Sequence, residues 1–116
     1  MITFIAHIRV LPANAAAFEA LMTYVSTQTR ECEPGVAYYA FAKSVADPDT
    51  YVVMEVYRDQ AAHAAHMETN WVKESIPKSL ALTEGLPDIR QYVSPGTEPV
   101  RRRWNPEAQT APASKK

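Results

Sequence analysis

Residues 55–66 read EVYRDQAAHAAH and place two of the chain's three histidines, His63 and His66, three residues apart near an alanine-rich helix start. An imidazole titrates near neutral pH, so such a residue can act as a proton acceptor, a metal ligand or a packed core side chain. At this spacing on a helix the two rings are neighbours on one flank, with Ala62 and Asn70 on the side of His66. Zinc would need a third and a fourth ligand. Glu68 falls on the wrong side of the helix, Cys32 belongs to another helix, and His7 is expected to face away from the helices. No metal site is assigned.

The alanines bear on the same question. Ala61, Ala62, Ala64 and Ala65 keep the helix thin, and Ala6, Ala40 and Ala42 are read as the small residues of the sheet face beneath it. Small residues on opposed surfaces either let the layers approach closely or leave a space. With a space, His66 projects into it beside Phe4, Met54, Met67 and Trp71, giving an apolar cavity with one titratable group, a usual composition for a small-molecule site. Without one, His66 is a half-buried histidine bonded to a backbone carbonyl. His63 is placed at the rim or in solvent. Glu55, an acid inside a strand, is read as half of a structural ion pair with Arg9 or Arg58. No GxSxG and no glycine-rich phosphate loop occur, and with three glycines in the chain no nucleotide fingerprint or cofactor is assigned.

The elements that must carry these residues emerge from periodicity. Residues 2–11 alternate as a strand, and Pro12 ends it. Asn14 is read as the N-cap of a helix in which Phe18, Leu21, Met22, Val25, Thr29 and Cys32 recur, stopped by Pro34-Gly35. Residues 36–45 and 51–58 form a hairpin. Asp59 caps the histidine helix, a break is expected between Thr69 and Trp71, and Pro77 predicts a kink or a fresh helix. Gly85 and Pro87 close the helical stretch, and residues 88–94 make the last strand. The order β-α-β-β-α-β predicts an α+β, ferredoxin-like fold: a four-stranded antiparallel sheet with helices on one face. By parity the opposite face carries Thr3, Ile5, His7, Tyr39, Phe41, Val53 and Tyr57. This mixture is too apolar to leave in water and implies a homodimer through the sheet face.

At 116 residues, 47% hydrophobic and 22% charged, the composition is that of one soluble domain. No apolar run suits a membrane span, and the N-terminus lacks the charge pattern of a signal peptide. With a single cysteine as well, the expected compartment is the cytoplasm. From Pro95 on there are five basic and two acidic residues, so the tail is +3 and the body −4, a poor nucleic-acid surface. The chain divides into a domain over 1–94 and a Pro-rich basic tail over 95–116, expected to be largely disordered or partner-docking, with Val100 and Trp104 pinning its first part to a partner subunit.

The pattern E-x-Y-x-D-x-x-A-x-x-x-H, formed by Glu55, Tyr57, Asp59, Ala62 and His66 and followed by Trp71, resembles the antibiotic biosynthesis monooxygenase superfamily of dimeric α/β barrels. The strand, proline and amphipathic helix at the start and the EPGVAYYAF turn fit as well, so the likeness spans residues 1–94. Such proteins oxidise quinols or polycyclic phenols without metal or flavin, cleave haem, or rearrange a small phosphorylated signal. The resemblance implies His66 as proton acceptor, Trp71 as a stacking surface, and Asn70 or a tyrosine orienting an oxygen. Where some of these oxygenases carry Asn and Trp, this chain has Ala62 and His66; Ala6 and Ile76 depart from the haem-cleaving pattern. The expected function is cofactor-independent monooxygenation of a quinol or other phenol by O2. The alternatives are an isomerase or other proton-transfer enzyme using the same pocket, and a non-catalytic ligand-binding or interaction dimer.

Overall fold

The computed structural model describes residues 1–101. Trp104 and the rest of the tail from Arg102 on lie outside them. Seven elements succeed one another: β1 (Ile2–Arg9), α1 (Pro12–Cys32), β2 (Val36–Lys43), β3 (Thr50–Tyr57), α2 (Gln60–Met67), α3 (Asn70–Leu82) and β4 (Glu84–Val93). The strands form one antiparallel sheet in the order β2-β3-β1-β4, the ferredoxin-like arrangement, with the helices on one face and the sheet not closed on itself. Among the described residues no helix is long and apolar enough to cross a membrane.

Local chemistry explains most boundaries. Pro12 occupies the first turn of α1, where its missing N–H costs nothing, and Leu11 rather than Asn14 is the capping residue. Asn14 instead sits inside the helix and donates from Nδ2 to the Leu82 carbonyl at 3.3 Å, tying the start of α1 to the end of α3. Asp59 caps α2 as expected, its Oδ1 accepting from the Ala62 N–H at 2.8 Å. The expected break falls at Glu68 and Thr69, and the Thr69 hydroxyl caps α3 by accepting from the Val72 N–H. Pro77 lies within α3, which continues past it to Leu82. Gly85 and Pro87 do not end the helix but belong to β4, which starts earlier than position 88. β4 is an edge strand, the place in a sheet where a proline is tolerated.

The sheet faces differ from the parity reading. β1 buries Ile2, Phe4, Ala6 and Ile8 toward the helices, as the alternation requires. Val53 and Tyr57 pair with Ala6 and Ile2 and so share that buried face, while Met54 pairs with Ile5 on the opposite one. In β2 the register shifts between Val36 and Tyr38, so Tyr39 and Phe41 turn inward and Ala40 joins Met54 on the outer face, with Ala42 beside Val52. The reason lies in Glu55. Placing an acid outward is the cheaper guess, yet Glu55 lies cross-strand from Phe4 on the helix side. Thr3, Ile5 and His7 do lie on the outer face, with His7 exposed.

The first turn of α2 presses on the start of β2. A Cβ added to Gly35 would come within 2.7 Å of the Ala62 Cβ, closer than two carbons can pack. Gly35→Ala is therefore expected to destabilise the fold by about 1–3 kcal/mol through overpacking. Urea unfolding measures this directly; an unchanged midpoint would show that α2 moves aside freely.

Candidate functional site

A cavity of about 650 Å³ lies between the sheet and the three helices, beneath the end of α2. Its floor includes Ala6 and Val53, and its wall along α3 includes Val72 and Leu80. Polar groups enter this apolar space at few points, chief among them His66, His63, Tyr39 and Glu55. That volume and composition match a pocket for a small organic molecule.

His66, in the last turn of α2, is 2% exposed. Its Nδ1 lies 2.9 and 3.1 Å from the two carboxylate oxygens of Glu33, the residue that caps the end of α1. A carboxylate only accepts, so Nδ1 carries the proton and Nε2 is left as the basic nitrogen. The Trp71 indole donates to the same carboxylate at 2.8 Å. Glu33 thus fixes both the tautomer and the orientation of His66, where the sequence reading offered a backbone carbonyl.

The neighbours of His66 are aromatic. Its ring centroid is 5.2 Å from that of Tyr39 and 5.3 Å from that of Tyr57. His63 is not at a rim: it is buried, 5.0 Å from the rings of both Phe4 and Tyr57, because the three-residue spacing turns both imidazoles toward the sheet. Tyr57 donates its hydroxyl to Glu55 Oε1 at 2.5 Å. Glu55 is therefore not the ion-pair partner of Arg9 or Arg58; Arg9 lies near Asp47 and Asp49, and Arg58 donates from Nε to the Pro34 carbonyl.

Of the residues picked out from sequence, His66 and Met67 border the cavity. Trp71 packs into the larger core cluster with its N–H committed to Glu33, so its ring is part of the frame. Asn70 is exposed at the start of α3, and Ala62 is half-buried against Gly35. Phe4 is fully buried behind His63 in a smaller cluster with Ile2 and Tyr57. Met54 is on the outer sheet face. Sequence reasoning missed Glu33 and Tyr39, and it misread Glu55, whose signal was an acid amid apolar strand residues. Among the described residues no cluster of three or more His, Cys, Asp or Glu side chains is gathered as a metal ion would need.

The chain beyond β4 returns over the same layer. The Gln91 side chain bonds both the N–H and the carbonyl of Val100, at 2.7 and 2.8 Å, and Gln60 donates to the Glu98 and Pro99 carbonyls. Val100 packs on the small core cluster of its own chain, and Arg101 reaches the cavity border.

A ferredoxin-like sheet, a helix break that aims a histidine inward and a cavity beneath it define an α+β domain with a space of small-molecule size. The chain belongs to the antibiotic biosynthesis monooxygenase family, whose profile matches residues 1–78. A structure bearing that family's name from Caulobacter crescentus is similar at 27% identity, with a TM-score of 0.76 over 80% of this chain and 88% of that one. Another from Nitrosomonas europaea is 22% identical, with a TM-score of 0.76 over 82% of this chain and 99% of that one, a likeness of fold. A third, from Deinococcus radiodurans, is 17% identical with a TM-score of 0.74, covering 88% and 100%. No curated protein matches the chain.

Three tyrosines are held protonated. Burial, reinforced by Glu55, raises Tyr57 far above its ordinary value; burial, then Glu55 and Glu33, raises Tyr39. Tyr51 is pushed up to about 12 by burial and its hydrogen bond to Glu19. A raised folded value means a contribution to stability that is complete below the unfolded value, near 10, and is lost as pH climbs through the folded one. The tyrosinate absorbance of these three residues should therefore appear only with unfolding, at alkaline pH. Following absorbance and circular dichroism together in Tyr51→Phe and Tyr57→Phe checks it: each should remove part of the late step, and ionisation ahead of unfolding would contradict the burial.

Proposed function

We propose that the protein is a cofactor-independent monooxygenase that oxidises a quinol or related phenol with O2. One observation carries the reading: an apolar cavity of small-molecule size is bordered by a histidine whose Nδ1 is held by a buried carboxylate, which leaves Nε2 as the base. A reaction in which the substrate is the reductant asks the protein for a dry space, a proton acceptor and a means of holding the anion. His66 Nε2 takes the phenolic proton, and Glu33 supports the imidazolium through Nδ1–H. The electron-rich phenolate then reduces O2. One oxygen atom enters the ring and the other leaves as water, so a phenol with a free ring C–H and O2 give a quinone and water, with atoms and electrons balanced.

His66→Ala is expected to lower substrate-dependent O2 uptake by about 10²–10⁴-fold, while Glu33→Gln, which keeps an acceptor but removes the charge, lowers it less. Assays with hydroquinones and naphthols, each variant checked for folding, decide this. Wild-type turnover in His66→Ala would remove the assigned base. Conversion under strict anaerobiosis would instead favour proton-transfer chemistry in the same cavity.

The functional unit we propose is a homodimer that packs the outer sheet face on its copy. What supports this is that Ile5, Val52, Met54 and Val56, half-buried in one subunit, lie on the face that the helices do not cover. A double variant, Ile5→Glu with Met54→Glu, should halve the mass measured by light scattering; an unchanged mass would place the contact elsewhere.

A further inference from the structure

Tyr39 is a polar group at the cavity, beside His66, that the chemistry above does not use. It is 6% exposed and lines the cavity, and among the described residues its hydroxyl makes no hydrogen bond. A hydroxyl that borders a cavity with no protein partner is free to bond a ligand placed there. Its backbone is tied down, since the Arg30 guanidinium at the end of α1 donates to the Tyr39 carbonyl at 3.2 Å. The inward turn of the side chain results from the register shift at the start of β2.

We infer that the Tyr39 hydroxyl is the donor that receives the substrate oxygen once His66 has taken its proton. The inference rests on the proposed reaction and adds to it the group that holds the anion. The two rings stand 5.2 Å apart at 44° and both border the cavity, so a ligand oxygen there has the two side chains as neighbours. The need for such a donor is electrostatic. Glu55 lies directly cross-strand from Tyr39 on the same face, and Glu33 stands behind His66, so an anion formed between them meets two carboxylates. Tyr57 already donates to Glu55, leaving Tyr39 as the hydroxyl available to the ligand. Burial first, and then the same carboxylates, keep Tyr39 itself protonated, so it donates a hydrogen bond and does not compete as a base.

The test uses 2-naphthol bound anaerobically to the full chain, with the ionisation of the bound phenol followed by absorbance. Glu55, His63, His66 and Arg101 border the same space, with Glu33 and Tyr57 behind His66, and all are unchanged in each variant, so the comparison isolates the Tyr39 hydroxyl. In Tyr39→Phe the bound phenol should become about tenfold harder to ionise, a rise of about one pH unit, while Tyr38→Phe, on the exposed face, should match wild type. Equal values in Tyr39→Phe and wild type would overturn the inference. Should Tyr39→Phe not fold, a crystal structure of the wild-type complex decides instead: the naphthol oxygen within about 3.2 Å of Tyr39 Oη supports the inference, and an oxygen bonded elsewhere overturns it. Failure of wild type to bind or ionise any phenol removes the proposed reaction and this inference with it. An oxygen on His66 but away from Tyr39 removes the inference alone.

Discussion

The structure around the cavity depends on one buried carboxylate. Glu33 has a side chain 8% exposed and has exchanged water for an imidazole and an indole. Desolvating a carboxylate is costly unless donors replace the lost water, and those donors come from two other helices. The end of α1, the end of α2 and the start of α3 are thereby joined at a point. The break between α2 and α3 has its reason here: the local cap by Thr69 lets the chain change direction, so that His66 and Trp71 meet the same acceptor. Removing either donor would leave the other to satisfy the charge.

Glu55 poses the same problem with a different solution. It sits on the inward face of β3 between residues that would otherwise make a plain hydrophobic layer, and a tyrosine two residues along its own strand donates to it. Two carboxylates, each held by ring or hydroxyl donors, concentrate polarity around His66 and Tyr57. The apolar remainder, contributed by β1, α1 and α3, excludes water and strengthens every hydrogen bond near the polar end.

The order of elements was legible because it is written in local chemistry. Prolines and glycines punctuate the chain, Asp59 and Thr69 cap the two helices that begin beside them, and β1 alternates cleanly. The facing of β2 and β3 was not legible, since both faces of YVVMEVY are apolar apart from Glu55, and an inward acid is the choice that local reasoning rejects. The register shift near Tyr38 then reverses β2 with no mark in composition. His66 could be found from helical spacing; Glu33 could not, because its bonds to His66 and Trp71 span 33 and 38 residues and exist only once three helices converge. Where sequence logic failed, it failed at the residues that surround the cavity, as expected where local preference yields to a site.

Pro77 gives the cavity an uneven stiffness. The floor belongs to a sheet whose β1 is laddered on both sides, so its side chains are fixed by hydrogen bonds along their length. The opposing wall is α3, and its proline, which lies between the lining residues Ser75 and Ser79, removes one rung from the helix. The cavity thus has an unyielding surface on one side and a compliant one on the other. Discrimination by shape is consequently sharpest against the strands, and tolerance for bulk is greatest toward α3.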